Sequence, residues 1–173
     1  MPTDHHVRGR RGLSSVVKVP EPALALTGFS LSVPWEFLQS PLYADWQREW
    51  TYLVWTRLHC AAGDVLILLG AFWGTALLFR SRSWWVPSRL PRTATFMFLG
   101  LAYTMWSEWF NVNIRESWGY AAAMPVLFGI GLTPIVQWIA LPPLTLCMMR
   151  WVCAGRRVPG LMPQDRANVR DWR

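Results

Sequence analysis

Four side chains able to carry charge or ligate a metal, Glu36, His59, Asp64 and Glu108, lie within or at the margins of apolar stretches long enough to cross a bilayer. A charge in hydrocarbon is costly, so groups retained there commonly handle protons, ions or substrates. Two carboxyls in such surroundings can divide acid catalysis between them, one donating a proton and the other stabilising a cation. Glu36, Asp64 and Glu108 are therefore candidate catalytic groups, as acid, base or counter-charge. His59, Gln39, Asn111, Tyr120 and Gln137 are the candidates for binding and orienting a substrate. A metal held by Glu36, His59 and Glu108 is a weaker alternative, because carboxylate and imidazole suit Zn, Fe or Mn. His59 and Asp64 stand about 140° apart around a helix and make poor co-ligands. No HExxH, CxxC, phosphate-binding glycine loop or GxSxG elbow accompanies them.

These groups must be positioned by helices in lipid. With 53% apolar residues and 13 tryptophans in 173 residues, the chain is too oily for an ordinary soluble domain of its size. About 20 apolar residues span the hydrocarbon core, and four segments approach that length: 22–43, 57–79, 93–111 and 121–149. The expected fold is all-α: a polytopic four-helix membrane domain over 21–151, flanked by basic tails at 1–20 and 152–173, with an interfacial helix at 45–55. In that interfacial segment Asp45 can cap a turn, and Trp46, Trp50, Leu53 and Val54 share one face. No removable targeting segment is expected, since Arg10 and Arg11 precede prolines rather than a short apolar run.

Charge orients the spans. The first tail, the middle loop and the last tail carry fourteen Lys and Arg, from Arg8 to Arg173, whereas the other two loops carry only Arg48, Arg57 and Arg115. Basic flanks remain cytoplasmic, which predicts a bacterial inner-membrane protein with both termini inside. The net charge of +7 is then topological, and nucleic acid is not an expected partner. His5 and His6 fall in a solvated tail, and Cys60 is too far from Cys147 and Cys153 to bridge to either. Trp46, Trp50, Trp55, Trp109 and Trp118 read as outer interface anchors, and Trp84, Trp85 and Trp151 as inner ones.

In this topology all four ionisable groups share the periplasmic half. At about 1.5 Å per residue, Glu36 and Asp64 lie roughly 10 Å below the outer boundary, and His59 and Glu108 roughly 3 to 6 Å below it. Helical phase groups Glu36 with Ser32, Gln39, Ser40 and Tyr43; Asp64 with Cys60 and Arg57; and Glu108 with Thr104 and Asn111. His59 shares a stripe with Gly63, Gly70 and Gly74, which should draw another helix close. Pro34 and the prolines of the last span, Pro125, Pro134, Pro142 and Pro143, predict bends, with Gln137 and Thr133 available to freed carbonyls. Bland roles compete: Glu36 as helix glue with Gln39 or Gln137, Asp64 paired with Arg57 or Arg115, and Glu108 and His59 snorkelling to water.

The strings PWEFLQSPLY, CAAGD, SEWFNV, WGYAAAMP and GIGLTPIVQW together resemble a family of small, uncharacterised bacterial inner-membrane proteins with four helices. The resemblance covers about residues 30 to 145 and implies no reaction; it places Glu36, Asp64, Glu108 and Tyr120 in the recurrent strings. Transport across the whole membrane is disfavoured, because the inner halves offer only Thr and Gly where a pathway needs hydrated groups. The expected function is binding or acid/base transformation of a hydrophobic small molecule. The alternative is an accessory or assembly subunit of a respiratory, photosynthetic or transport complex. The cofactor is unknown.

Overall fold

The computed structural model describes residues 19–86 and 89–155, with side chains to Val152. The basic tails with His5 and His6, and the side chain of Cys153, lie outside the described residues. Four helices carry the chain: α1 (Glu21–Gln39), α2 (Trp50–Leu78), α3 (Leu90–Asn113) and α4 (Leu132–Gly155). A 3-10 turn (Ser40–Leu42) follows α1, and a two-stranded hairpin, β1 (Val126–Leu127) and β2 (Ile130–Gly131), precedes α4. The all-α expectation holds. By length and composition α2 and α4 qualify as candidate membrane spans.

Several boundaries differ from the sequence reading. The interfacial helix at 45–55 does not form: residues 44–47 turn, and Trp50 begins a helix that runs unbroken for 29 residues through the second apolar segment. With no proline or glycine between Trp50 and Ala62, nothing interrupts the backbone ladder there. The fourth span starts at Leu132 rather than 121, because 121–131 forms a turn and then the hairpin. Phe128 and Gly129 have φ of 51° and 79°, the paired positive values of a tight two-residue hairpin turn, and helix cannot pass through them. The same helix continues past the expected end to Gly155. Pro34, Pro142 and Pro143 lie inside continuous helices rather than breaking them.

Packing contacts join α1 to α2 and α4, and α3 to α2 and α4, closing a ring. Side-chain contacts give the directions. Arg82, just after α2, donates to Glu21 at the start of α1, and Arg150 near the end of α4 donates to the Trp85 carbonyl. At the opposite end, Gln39 at the close of α1 reaches Gln137 at the start of α4. The bundle is therefore up-down-up-down, with the α2–α3 connection at one end and the other two at the opposite end.

The two ends differ in chemistry. At the Arg82 end lies an apolar core of Leu24, Phe72, Trp84, Phe96, Leu146 and Met149. Trp84 packs between Phe72 and Phe96 with tilted rings whose centroids lie 5.3 Å away on either side, and its indole N–H donates to the Phe72 carbonyl at 3.2 Å. This corrects the expectation that Trp84 and Trp85 anchor an interface: both are buried, because the 79–86 connection folds back into the bundle. Burying two large aromatic rings is a main source of cohesion at this end. Trp138 forms the boundary between the ends by lying against Gly100, where a Cβ would sit 2.0 Å from the indole ring. Only glycine permits that approach.

All four helices turn large apolar side chains outward, among them Leu26 and Leu38, Leu66 and Leu77, Phe98 and Trp106, and Ile139 and Trp151. Ser32, Glu36, Gln39, Arg57, Thr104 and Gln137 are buried inside. The usual distribution in water is the reverse.

Candidate functional site

One amide links three helices in the polar half of the bundle. Gln137, buried on α4, donates from Nε2 to Asp64 Oδ2 at 2.6 Å and to Glu36 Oε1 at 3.4 Å, and so joins diagonal helices α4 and α2 as well as α1. Gln39 donates to Glu36 Oε1 at 2.8 Å and to Gln137 Oε1 at 3.4 Å. Trp35 in turn donates to Gln39 Oε1 at 3.1 Å. The sequence places Glu36 and Gln39 three residues apart, hence on one helical face, and that face is turned inward.

Glu108 enters from α3. Its Oε2 accepts the Tyr120 hydroxyl at 2.7 Å and the Trp118 indole N–H at 3.5 Å. Burial, followed by this bond to Glu108, pushes the Tyr120 hydroxyl above the ordinary tyrosine range, so Tyr120 acts as a donor. Tyr120 also forms an antiparallel bridge with Tyr43, flanked by Ala44 N to Gly119 O at 3.0 Å and Ala121 N to Leu42 O at 2.9 Å. The two connections at this end are thereby stitched into a cover. Arg57 fastens its underside, paired with Asp45 and set 5.1 Å from the centre of the Tyr43 ring.

Beneath the cover lies a cavity of about 180 Å³ lined by Glu36, Asp64, Glu108, Arg57, Thr104 and Gln137, with Trp138 also in its wall. Glu36, Asp64 and Glu108 thus meet on one cavity, as do Tyr43, Cys60, Ser107 and Trp118. His59 touches the rim but is exposed and stacks against Trp55, with centroids 6.5 Å apart. Tyr120 and Gln39 support the site through Glu108 and Glu36 rather than lining the cavity.

Other assignments are corrected. Asn111 bonds back into its own helix, to Ser107 O at 2.8 Å and Ser107 Oγ at 3.2 Å, and is absent from the cavity wall. Among the described residues no three His, Cys, Asp or Glu gather closely enough to hold a metal, so Glu36, His59 and Glu108 form no ligand set. Asp64 does not pair with Arg57, whose partner is Asp45. The glycine stripe beside His59 is only partly packed: a Cβ on Gly74 would meet Leu99 at 3.0 Å, whereas one on Gly63 or Gly70 would meet nothing within 4 Å.

Arg57, Cys60 and Thr104 were not among the expected site residues, although phase carried the signal. Arg57 and Cys60 lie seven and four residues before Asp64, and Thr104 four before Glu108. Tyr43 lies just past α1 yet keeps the Glu36 stripe that phase assigned to it, whereas Trp118 comes from a connection, where helical phase carries no information.

In its chemistry the site offers three carboxyl groups, one buried guanidinium and an amide bridging two of the acids. The chain matches no protein-family model, no curated protein and no solved structure.

Proposed function

We propose that this is a bacterial inner-membrane protein in which all four helices span the bilayer, with the Arg82 end and both termini cytoplasmic. The pocket then lies in the periplasmic half, where it binds the polar end of a hydrophobic small molecule and hands it a proton. The observation that carries this reading is the convergence of Glu36, Asp64 and Glu108 on one cavity inside a bundle whose exterior is apolar. Two carboxyls bridged by Gln137 supply an acid and a counter-charge within reach of a shared ligand.

Four spans are supported by the outward apolar faces of α1 and α3 as well as α2 and α4. An exterior this apolar on every helix is costly in water and fits lipid. The cavity is smaller than the ~300 to 1,000 Å³ of sites that enclose drug-sized ligands, so the ligand's apolar remainder stays in the membrane.

Purification from native membranes in nanodiscs, followed by solvent extraction and mass spectrometry, tests the reading. A hydrophobic molecule should copurify with the wild type and be depleted in Glu36→Gln, Asp64→Asn and Glu108→Gln. Unchanged extracts from all three variants would refute it.

A second reading, an accessory subunit of a larger complex, is favoured by an apolar crevice of about 540 Å³ between α1 and α2, lined by Phe29, Ala62 and Val65 among others. Stoichiometric partner proteins in the same purification would support that reading.

A further inference from the structure

Two side chains of the cavity wall carry buried polar atoms without partners. Among the described residues, neither Thr104 Oγ1 nor Arg57 Nε has a hydrogen-bond partner. Thr104 is 7% exposed, Arg57 is 3% exposed, and both line the cavity. A threonine within a helix ordinarily bonds back to a preceding carbonyl, as Thr27 and Thr75 do here. Thr104 forgoes that bond, as the buried Thr145 also does, and of the two only Thr104 belongs to the cavity wall. Leaving such groups unpaired is costly unless something occupies the space.

The way in is equally specific. The paired connections carrying Tyr43 and Tyr120 cover the pocket at the end of the bundle. Along the α2–α3 seam, Gly74 is packed against Leu99, but a Cβ at Gly63, in the cavity wall, would meet no atom within 4 Å. The glycine stripe is packed at Gly74 and leaves open space at Gly70 and, beside the cavity, at Gly63.

We infer that the site takes the hydroxyl end of a lipophilic alcohol or phenol, admitted sideways from the membrane between α2 and α3 at Gly63. This rests on the ligand-binding reading above and names the ligand's chemistry. An ammonium has no lone pair to offer Arg57 Nε–H. A carboxylate has no proton for the Asp64 or Glu108 oxygens, and either a carboxylate or a phosphate would bring an anion against three acidic side chains. A hydroxyl serves both, accepting from Arg57 Nε and exchanging a bond with Thr104 while donating to a carboxylate.

The test is photolabelling of the full-length protein in nanodiscs. The probe is a long-chain fatty alcohol with a diazirine near its hydroxyl, compared with its methyl ether, amine and carboxylic acid counterparts. The alcohol should label peptides containing Gly63 and Thr104 in preference to the other three. Thr104→Val should weaken half-saturation by about threefold to tenfold, the worth of one hydrogen bond. Gly63→Leu adds bulk where a Cβ has room and should cut labelling several-fold. Equal labelling by alcohol and ether on the wild type overturns the hydroxyl assignment without reliance on any variant. Unchanged labelling of Gly63→Leu overturns the sideways route. If the amine or acid labels best and Glu36→Gln, Asp64→Asn and Glu108→Gln abolish it, the hydroxyl class is wrong while the pocket reading stands. If no probe labels and nothing copurifies, both are wrong.

Discussion

Replacing Gln137 with leucine tests whether one amide holds the polar half together. The substitution removes two donors at once, one 2.6 Å from Asp64 and one 3.4 Å from Glu36. Glu36 keeps Gln39 at 2.8 Å, so most of the loss falls on Asp64. Stranding one fully buried acceptor costs about 1 to 3 kcal/mol in general, and Asp64 is only half-buried. Measured interhelical bonds in membranes are weaker, averaging about 0.6 and reaching about 1.7 kcal/mol, because the unfolded reference state also finds partners. The short Asp64 contact belongs near the upper end, giving an expected destabilisation of about 1 to 2 kcal/mol for Gln137→Leu. Replacing both partners, as Asp64→Leu with Gln137→Leu, removes the stranded group and should recover much of that loss. The assay is reversible unfolding in mixed micelles, followed by tryptophan fluorescence for the wild type, both single variants and the double. A coupling energy of about 0.6 to 1.7 kcal/mol is expected. A value below about 0.3 kcal/mol, the scatter of independent sites, would mean that the amide does not link the two helices, and the account of the site would fail at its centre.

Three further outcomes follow from other contacts. Cysteines introduced at Glu116 and Ser81 should react with a membrane-impermeant maleimide from opposite sides of sealed vesicles, and reaction from the same side would disprove the proposed crossing of α3. Gly100→Ala forces a methyl into the space held by the Trp138 ring and should destabilise the bundle by about 1 to 3 kcal/mol in the same unfolding assay, whereas Gly70→Ala, which meets nothing within 4 Å, should leave stability unchanged or raise it slightly. Tyr120→Phe should cost about 1 to 2 kcal/mol by taking from Glu108 its shortest bond. Because the Tyr120 hydroxyl is raised above its ordinary value of about 10, its contribution is complete below that pH and is lost only as pH climbs through the higher native value; ultraviolet difference titration of wild type against Tyr120→Phe should therefore show no Tyr120 phenolate below about pH 10.

The helices and the inward faces of several polar residues could be read along the chain, whereas the partners of those residues could not, for different physical reasons. Long apolar runs with a 3.6-residue polar stripe are local properties, and they led to four helices and to the inward faces of Glu36, Asp64, Glu108 and Gln137. Composition was misleading where tertiary packing overrides it. Trp84 and Trp85 follow a basic connection and resemble anchors, yet that connection folds into the core and buries them. The 121–131 segment is apolar enough to extend a span, but paired positive φ at Phe128 and Gly129 makes it a hairpin. Asn111 shared a stripe with Glu108, but a side chain able to bond to its own preceding turn need not cross to another helix.

From sequence alone, the chain's helical class and the gathering of its acidic residues at one end of the bundle were legible, because rise per residue and hydrophobicity depend on neighbours along the chain. Tertiary structure decided which acids share a donor, why Arg57 answers Asp45 rather than Asp64, and that Thr104 is left with none. Helical phase gives a direction relative to the helix's own axis only. How far each helix turns toward its neighbours depends on distant contacts such as Trp138 on Gly100 and the Tyr43–Tyr120 bridge, and those contacts turn a layer of costly residues into a single pocket.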